Sequence, residues 1–333
     1  YLSWIISDSW DFTYRLGIDN YSDQRTQVFA VSSFGDDIGG VGQINENRLS
    51  NRQIYGDALL TYKKELTDKL SFSGTLGHNF FTTRFDDLFS RGRQMTIPYF
   101  YNLSNTSDLY GSRYTEVLKT QALFFDLNFD YDNWLFVGIT GRNEWSSSFE
   151  VDEKNNFFYP SANVSVVFSE LMGDLPDWFS FGKVRYSYAQ VGISPAPYNT
   201  RTYYNVPTYT DGFTNGITFP YNNLNGTPTS GYAISNTLGN RGLKPERLIG
   251  NEWGINLNFW QNLLDVDYTY YRQKSVDVLL FQPVAPSSGY ISNYTNSAEI
   301  LNQGHELAVT FNPIRDKEWT WSITANWYKN ISE

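Results

Sequence analysis

The chain of 333 residues is predicted to be all-β: a transmembrane antiparallel β-barrel segment of about 12 strands, one stretch of barrel domain over 1–333. Three observations predict this. Apolar and polar residues alternate with period two in segment after segment, which marks strands because successive side chains leave opposite faces. The connections run short, long, short, long from end to end. Aromatic residues make up 18% of the chain, and tryptophans gather beside the short connections. No run approaches the roughly 18 apolar residues of a membrane helix, so a helical span is excluded and any crossing must use strands.

The clearest unit is Glu246–Phe281. Trp253, Ile255, Leu257 and Phe259 share one face, opposite Gly254, Asn256 and Asn258. After Gln261-Asn262-Leu263 the chain returns, with Leu264, Val266, Tyr268 and Tyr270 alternating with Asp265, Asp267 and Thr269. Each run exceeds the 9–11 or so tilted residues that cross a bilayer. A greasy face backed by a polar one suits a strand between lipid and a wet lumen.

The same unit recurs along the chain. Residues 1–7 and 10–19 form the first hairpin, and the Gly/Asp/Asn-rich 34–47 reads as loop. Strands follow at about 51–66 and 69–84, joined at Thr67-Asp68. A long irregular segment is expected over 85–113. In 114–131, Leu123, Phe125, Leu127, Phe129 and Tyr131 oppose Asp126, Asn128 and Asp130; Asp132-Asn133 turns the chain into 134–146. Strands at 157–168 and 179–191 come next, then a second long segment, 193–245, rich in Pro, Gly, Asn and Thr. Beyond the opening hairpin lie strands at 297–312 and 319–331. Structureless loops this long are uncommon in compact domains, whereas outer-membrane barrels carry long loops outside and short turns inside. Trp10, Trp134, Trp178, Trp260 and Trp319 lie within a few residues of tight corners, as an aromatic girdle at one headgroup level requires.

Composition removes several classes of function. Net charge is -10, which argues against nucleic acid, whose binding rests on cationic neutralisation of phosphate. With no Cys, neither disulfides nor thiolate metal sites are available. His78 and His305 are the two histidines, and each reads as a solvated or lumen residue. No hydrolase, zincin or phosphate-loop motif occurs, so no catalytic residue, metal or cofactor is assigned. Asp36-Asp37 lacks the alternating oxygen spacing of a calcium loop, and Asp265 and Asp267 read as part of a hydrated wall.

Several stretches, in order over about 140–310, resemble the SusC/RagA-type TonB-dependent transporters of the Bacteroidetes outer membrane. Gly141-Arg142-Asn143-Glu144-Trp145-Ser146-Ser147-Ser148-Phe149 is similar to that family's Arg-x-Asp-x-Ser-Ser-x-Phe strand, with Glu144 where Asp is usual. The stretches 159–165, 183–192 (departing from the family pattern at Ala189 and Gln190), Leu243-Lys244-Pro245-Glu246-Arg247, Tyr270-Tyr271-Arg272 and Asn302-Gln303-Gly304-His305-Glu306-Leu307 resemble further family stretches. The resemblance implies a plugged barrel of about 22 strands in the outer membrane, energised by the TonB complex and capped by a SusD-like lipoprotein lid. The chain would be about half of that wall, with plug and TonB contact elsewhere, importing oligosaccharides or oligopeptides. Two other readings stay open: a smaller porin or barrel enzyme of about 12 strands, and a soluble all-β carbohydrate-binding or adhesion protein.

Binding residues concentrate on loops held by a rigid scaffold. Tyr99, Phe100 and Tyr101 in the first long segment, and Tyr203, Tyr204 and Tyr209 in the second, stand among amides and hydroxyls. Flat rings beside such groups suit sugar rings or peptide backbones. These six are the candidate substrate-binding residues.

Overall fold

The computed structural model describes residues 1–33, 40–209, 217–222, 225–316 and 318–333. Twelve strands carry the fold, all but the first long: β1 Leu2–Ile5, β2 Trp10–Val31, β3 Val41–Thr67, β4 Leu70–Met95, β5 Thr106–Tyr131, β6 Leu135–Ser146, β7 Asn156–Val166, β8 Phe179–Ile193, β9 Glu246–Phe259, β10 Leu264–Pro283, β11 Ser292–Arg315 and β12 Thr320–Ser332. Each pairs antiparallel with its neighbours in sequence, so the wall is an unbroken meander. A short bridge, Thr237–Leu238, joins the rim of β11 in parallel and completes a 13-stranded sheet. Among the described residues β1 pairs only with β2 and β12 only with β11, leaving an open arc.

Register fixes the two faces. Trp253 stands opposite Tyr186 and Tyr270, and Leu257 opposite Val266, on the outward face. Gly254, Asn256, Asp265 and Asp267 point the other way. A one-residue slip in any strand would send its apolar set into the lumen, so register is strongly specified. At Asp132 and Asn133, in the three-residue connection between Tyr131 and Leu135, both φ are positive, 52° and 59°, a left-handed conformation that Asp and Asn tolerate. On β4 the outward stripe Leu70, Phe72, Gly74, Leu76, His78, Phe80 gives way to Thr82, Arg84 and Asp86. Ten steps of ~3.4 Å at ~40° tilt span about 26 Å, the height of a barrel's apolar band.

The rings beside the short turns touch along the wall. Trp10 packs on Tyr62, Tyr62 on Phe72 and Phe72 on Phe129, at 4.7, 6.0 and 4.9 Å between centroids. Tyr131 meets Trp134 edge-on, and Trp178 stacks on Phe259 beside Trp260. Inside the wall, large rings lie over glycines of the neighbouring strand. A Cβ on Gly77 would fall 2.2 Å from the Phe124 ring, so only glycine lets that ring lie flat on the sheet.

Three expectations need correction. The segment 85–113 is not irregular: β4 continues to Met95 and β5 starts at Thr106, leaving only 96–105 as connection. β2 and β3 likewise reach Val31 and Val41, well into the expected loop at 34–47. Above the membrane both faces of a strand are wet, so the apolar/polar contrast that reveals period two disappears while the backbone ladder continues. The histidines, finally, face outward with the apolar stripe; His305 Nδ1 shares a hydrogen bond with the Tyr268 hydroxyl at 2.7 Å. Asp36 and Asp37 lie outside the described residues.

Candidate functional site: the inner wall and the rim

The inner face is wet and cross-linked within the membrane band. Arg185 of β8 donates from one terminal nitrogen to Asp267 Oδ1 at 2.8 Å and Thr269 Oγ1 at 2.6 Å, and from the other to Asn256. One guanidinium thus ties three adjacent strands, using the fork geometry that Lys lacks. Asp265 accepts from Asn258 at 2.6 Å and from Asn312 at 3.2 Å. The two aspartates are therefore engaged by amide and guanidinium donors, in keeping with a hydrated wall. Arg142 donates twice to Glu144 Oε2, at 2.9 and 2.7 Å, so glutamate makes the ion pair at the position where the resembled family has aspartate.

Above the band the inner face turns aromatic. Phe85 lies 6.4 Å from Tyr114 and Phe89 6.4 Å from Tyr110, while the Arg91 guanidinium sits 5.3 Å over the Tyr110 ring. The Tyr114 hydroxyl donates to Glu116 at 2.7 Å and is pushed up to about 12, first by that bond to a carboxylate. Beside this ladder Gln43 donates to Asn45, and Asn45 to Gln27. Among the described residues Gln43 Oε1, Asn47 Oδ1, Asp87 Oδ1 and Arg91 Nε are buried there with no protein hydrogen-bond partner, so lumen water or a ligand can meet them. Sequence reasoning missed most of these residues because they fell inside the expected loops at 34–47 and 85–113, with Tyr114 at the edge of an expected strand. The signal was present: Phe85 and Phe89, like Tyr110 and Tyr114, sit an even number of positions apart.

On the outward side at the same height, Asp86 accepts from Arg84 at 2.6 Å, Thr115 at 2.7 Å and Arg113 at 3.0 Å. These donors, Arg84 foremost, hold its carboxyl well below the usual range.

The six predicted residues form two groups. Tyr99, Phe100 and Tyr101 cap the β4–β5 connection and are exposed, Tyr99 at 83%. Their turn is pinned by buried Asn105, whose side chain donates to Ile97 O and Phe100 O at 2.8 Å each and accepts from Ile97 N–H at 3.0 Å. Tyr203, Tyr204 and Tyr209 lie in the second long segment, where short two-residue pairings replace regular strands. Tyr203 meets Tyr198 edge-on and Tyr209 meets Phe219 edge-on. The ring partners of the second group thus come from its own segment.

That segment is clasped to the rim by residues of the signature stretches. Phe149, 5% exposed, packs against Phe157 at 4.8 Å. Next to it Glu150, also 5% exposed, receives Arg201 Nε at 2.8 Å and a second guanidinium bond. This pairing holds the Glu150 carboxyl down at about 2. Leu243 and Pro245 are buried at the other end of the segment. The partners are 51 positions apart, so no local pattern announced the clasp.

A meander of antiparallel strands with an outward apolar band, rings at its turns and a charged inner face is the wall of a transmembrane β-barrel. The family model for the TonB dependent receptor-like beta-barrel matches residues 1–333, and the chain belongs to that family, in the outer membrane. Among curated relatives, TonB-dependent receptor P3 of Formosa agariphila is 23% identical, over 99% of this chain and 32% of the relative. TonB-dependent receptor P39 of the same organism is 23% identical over 100% and 31%. Among solved structures, the RagAB peptide transporter superposes with a TM-score of 0.84 at 19% identity, covering 98% of this chain and 35% of that one. The chain therefore spans about a third of each of these three proteins, and the fold agrees with the SusC/RagA-type resemblance.

Proposed function

We propose that the protein to which this wall belongs imports oligopeptides or oligosaccharides across the outer membrane, energised through TonB and working with a SusD-like surface lipoprotein. Family membership over the whole chain supports TonB-dependent import. The likeness in fold to a peptide transporter supports a peptide-like cargo, and the lipoprotein lid follows from the resemblance of the signature stretches. The observation that carries the reading is the inner wall above the membrane band, where buried polar atoms without partners lie beside a ladder of rings. An aromatic face flanked by amides and a guanidinium stacks on and hydrogen-bonds a polar chain passing inward. Tyr99, Phe100, Tyr101, Tyr203, Tyr204 and Tyr209 make first contact at the rim. The wall binds and guides its cargo and performs no chemistry on it. The rest of a larger plugged barrel continues from the edges of β1 and β12.

Uptake of labelled oligopeptides and oligosaccharides by cells carrying the full-length protein, with and without TonB, tests this. Energy-dependent uptake of one class is expected, reduced several-fold by joint alanine replacement of Tyr203, Tyr204 and Tyr209. Uptake unchanged by loss of TonB would refute it.

A further inference from the structure

β5 runs beyond its neighbour. β6 ends at Ser146, paired with Thr120, while β5 climbs on to Thr106 with only β4 beside it. The strand's other edge therefore has no strand beside it above Thr120. Which backbone groups face that edge follows from the bonds nearest to it. Ser147 N–H donates to Lys119 O, Lys119 N–H donates to Ser147 Oγ, and Val117 N–H donates to the Tyr198 hydroxyl. The alternation of an antiparallel ladder then turns Thr115, Arg113, Gly111 and Leu109 the same way. Among the described residues nothing bonds the N–H or C=O groups of these four on that side, and residues 107–114 are all exposed.

Natural sheets blunt such edges with proline, lysine, bulges or a covering segment. From Leu109 to Thr115 the strand has no proline and no lysine, and its pairing with β4 runs without a register shift. Nor is this edge an end of the arc, like β1 or β12; it lies mid-meander, with its sheet neighbours on both sides in place. A row of alternating donors and acceptors repeating every two residues, ~7 Å apart, is complementary to one kind of ligand, the main chain of an extended polypeptide. A sugar chain has no such repeat. On the inner side of the same strand, Tyr110 and Tyr114 offer their rings to the side chains of whatever lies there.

We propose that the free edge of β5 from Leu109 to Thr115 takes cargo oligopeptide by strand addition. The peptide continues the sheet past the point where Tyr198 and Ser147 close it. This rests on the import reading and narrows it to peptides, recognised through the backbone and hence with little regard to sequence.

The test uses the full-length transporter and three probes: a mixed-sequence nonapeptide, the same peptide N-methylated at alternate residues, and a linear heptasaccharide. Gly111→Pro and Arg113→Pro each remove a donor on the open side and leave the β4 ladder intact; Arg113→Ala removes the side chain only. Several hydrogen bonds at stake predict that N-methylation weakens binding about 30-fold and each proline about tenfold. Arg113→Ala is expected to stay within threefold. Equal binding of the methylated and parent peptides by the unaltered transporter, a measurement no variant's folding can disturb, would overturn the proposal. So would proline variants that shed a co-purifying lipoprotein while keeping peptide affinity, since the edge would then serve the lid. Binding of the heptasaccharide with no peptide bound would sink the peptide assignment at its root. Peptide binding insensitive to methylation would remove strand addition alone and leave import standing.

Discussion

Replacing Phe149 with alanine separates the rim clasp from the wall. The ring is 5% exposed and packs on Phe157 at 4.8 Å, and the next residue is Glu150, the anchor for Arg201. Truncating a buried Phe to Ala costs about 3–5 kcal/mol, of which the ring pair itself accounts for about 0.5–1.5 kcal/mol. The strands of the membrane band draw their stability from lipid contact and the ladder, so the cost falls on the clasp. About 3 kcal/mol is a little over two decades in an opening equilibrium. Hydrogen exchange reads this residue by residue. Gly239 N–H, bonded to Thr202 Oγ1, and Asn240 N–H, bonded to Asn199 O, are expected to exchange about 100-fold faster in Phe149→Ala. Amides of β9 and β10 are expected to keep their wild-type rates. Acceleration spread evenly over wall and rim, or less than threefold at Gly239 and Asn240, would refute the reasoning.

The clasp also has a pH signature. Glu150 is held at about 2, below its ordinary 4.5, by Arg201. A depressed carboxyl contributes stability that is complete above about 4.5 and is lost as pH falls toward 2. Exchange at Gly239 and Asn240, corrected for intrinsic rates, should therefore speed up between pH 4.5 and 2 in the wild type, and Glu150→Gln should abolish that dependence. Arg185→Ala breaks a three-strand tie, but water in the lumen can take over the freed groups, so a loss of only about 1 kcal/mol is expected in thermal or urea unfolding. Gly192→Val places a Cβ about 2.0 Å from the Tyr159 hydroxyl. Overpacking of about 1–3 kcal/mol is expected, relieved by adding Tyr159→Ala and measured by the unfolding temperature.

The sequence by itself determined what the membrane enforces. Lipid outside and water inside impress period two on every crossing, so Trp253 to Phe259, Leu264 to Tyr270 and Leu123 to Tyr131 show their two faces in the sequence alone. Short turns stood out through Asp132-Asn133 and Gln261-Asn262, and the signature stretches carried the family. Only the tertiary structure decided what happens beyond the band. There the solvent is the same on both faces, hydrophobic contrast no longer encodes the strand, and β4 and β5 rise through a region whose composition resembles loop. The Glu150–Arg201 clasp, the Asn105 pin, the ladder of Phe85, Phe89, Tyr110 and Tyr114 and the open edge of β5 all lie there. Apart from the Asn105 pin, which is local to its connection, they are products of register and of long-range contact, which the one-dimensional alternation of side chains does not carry.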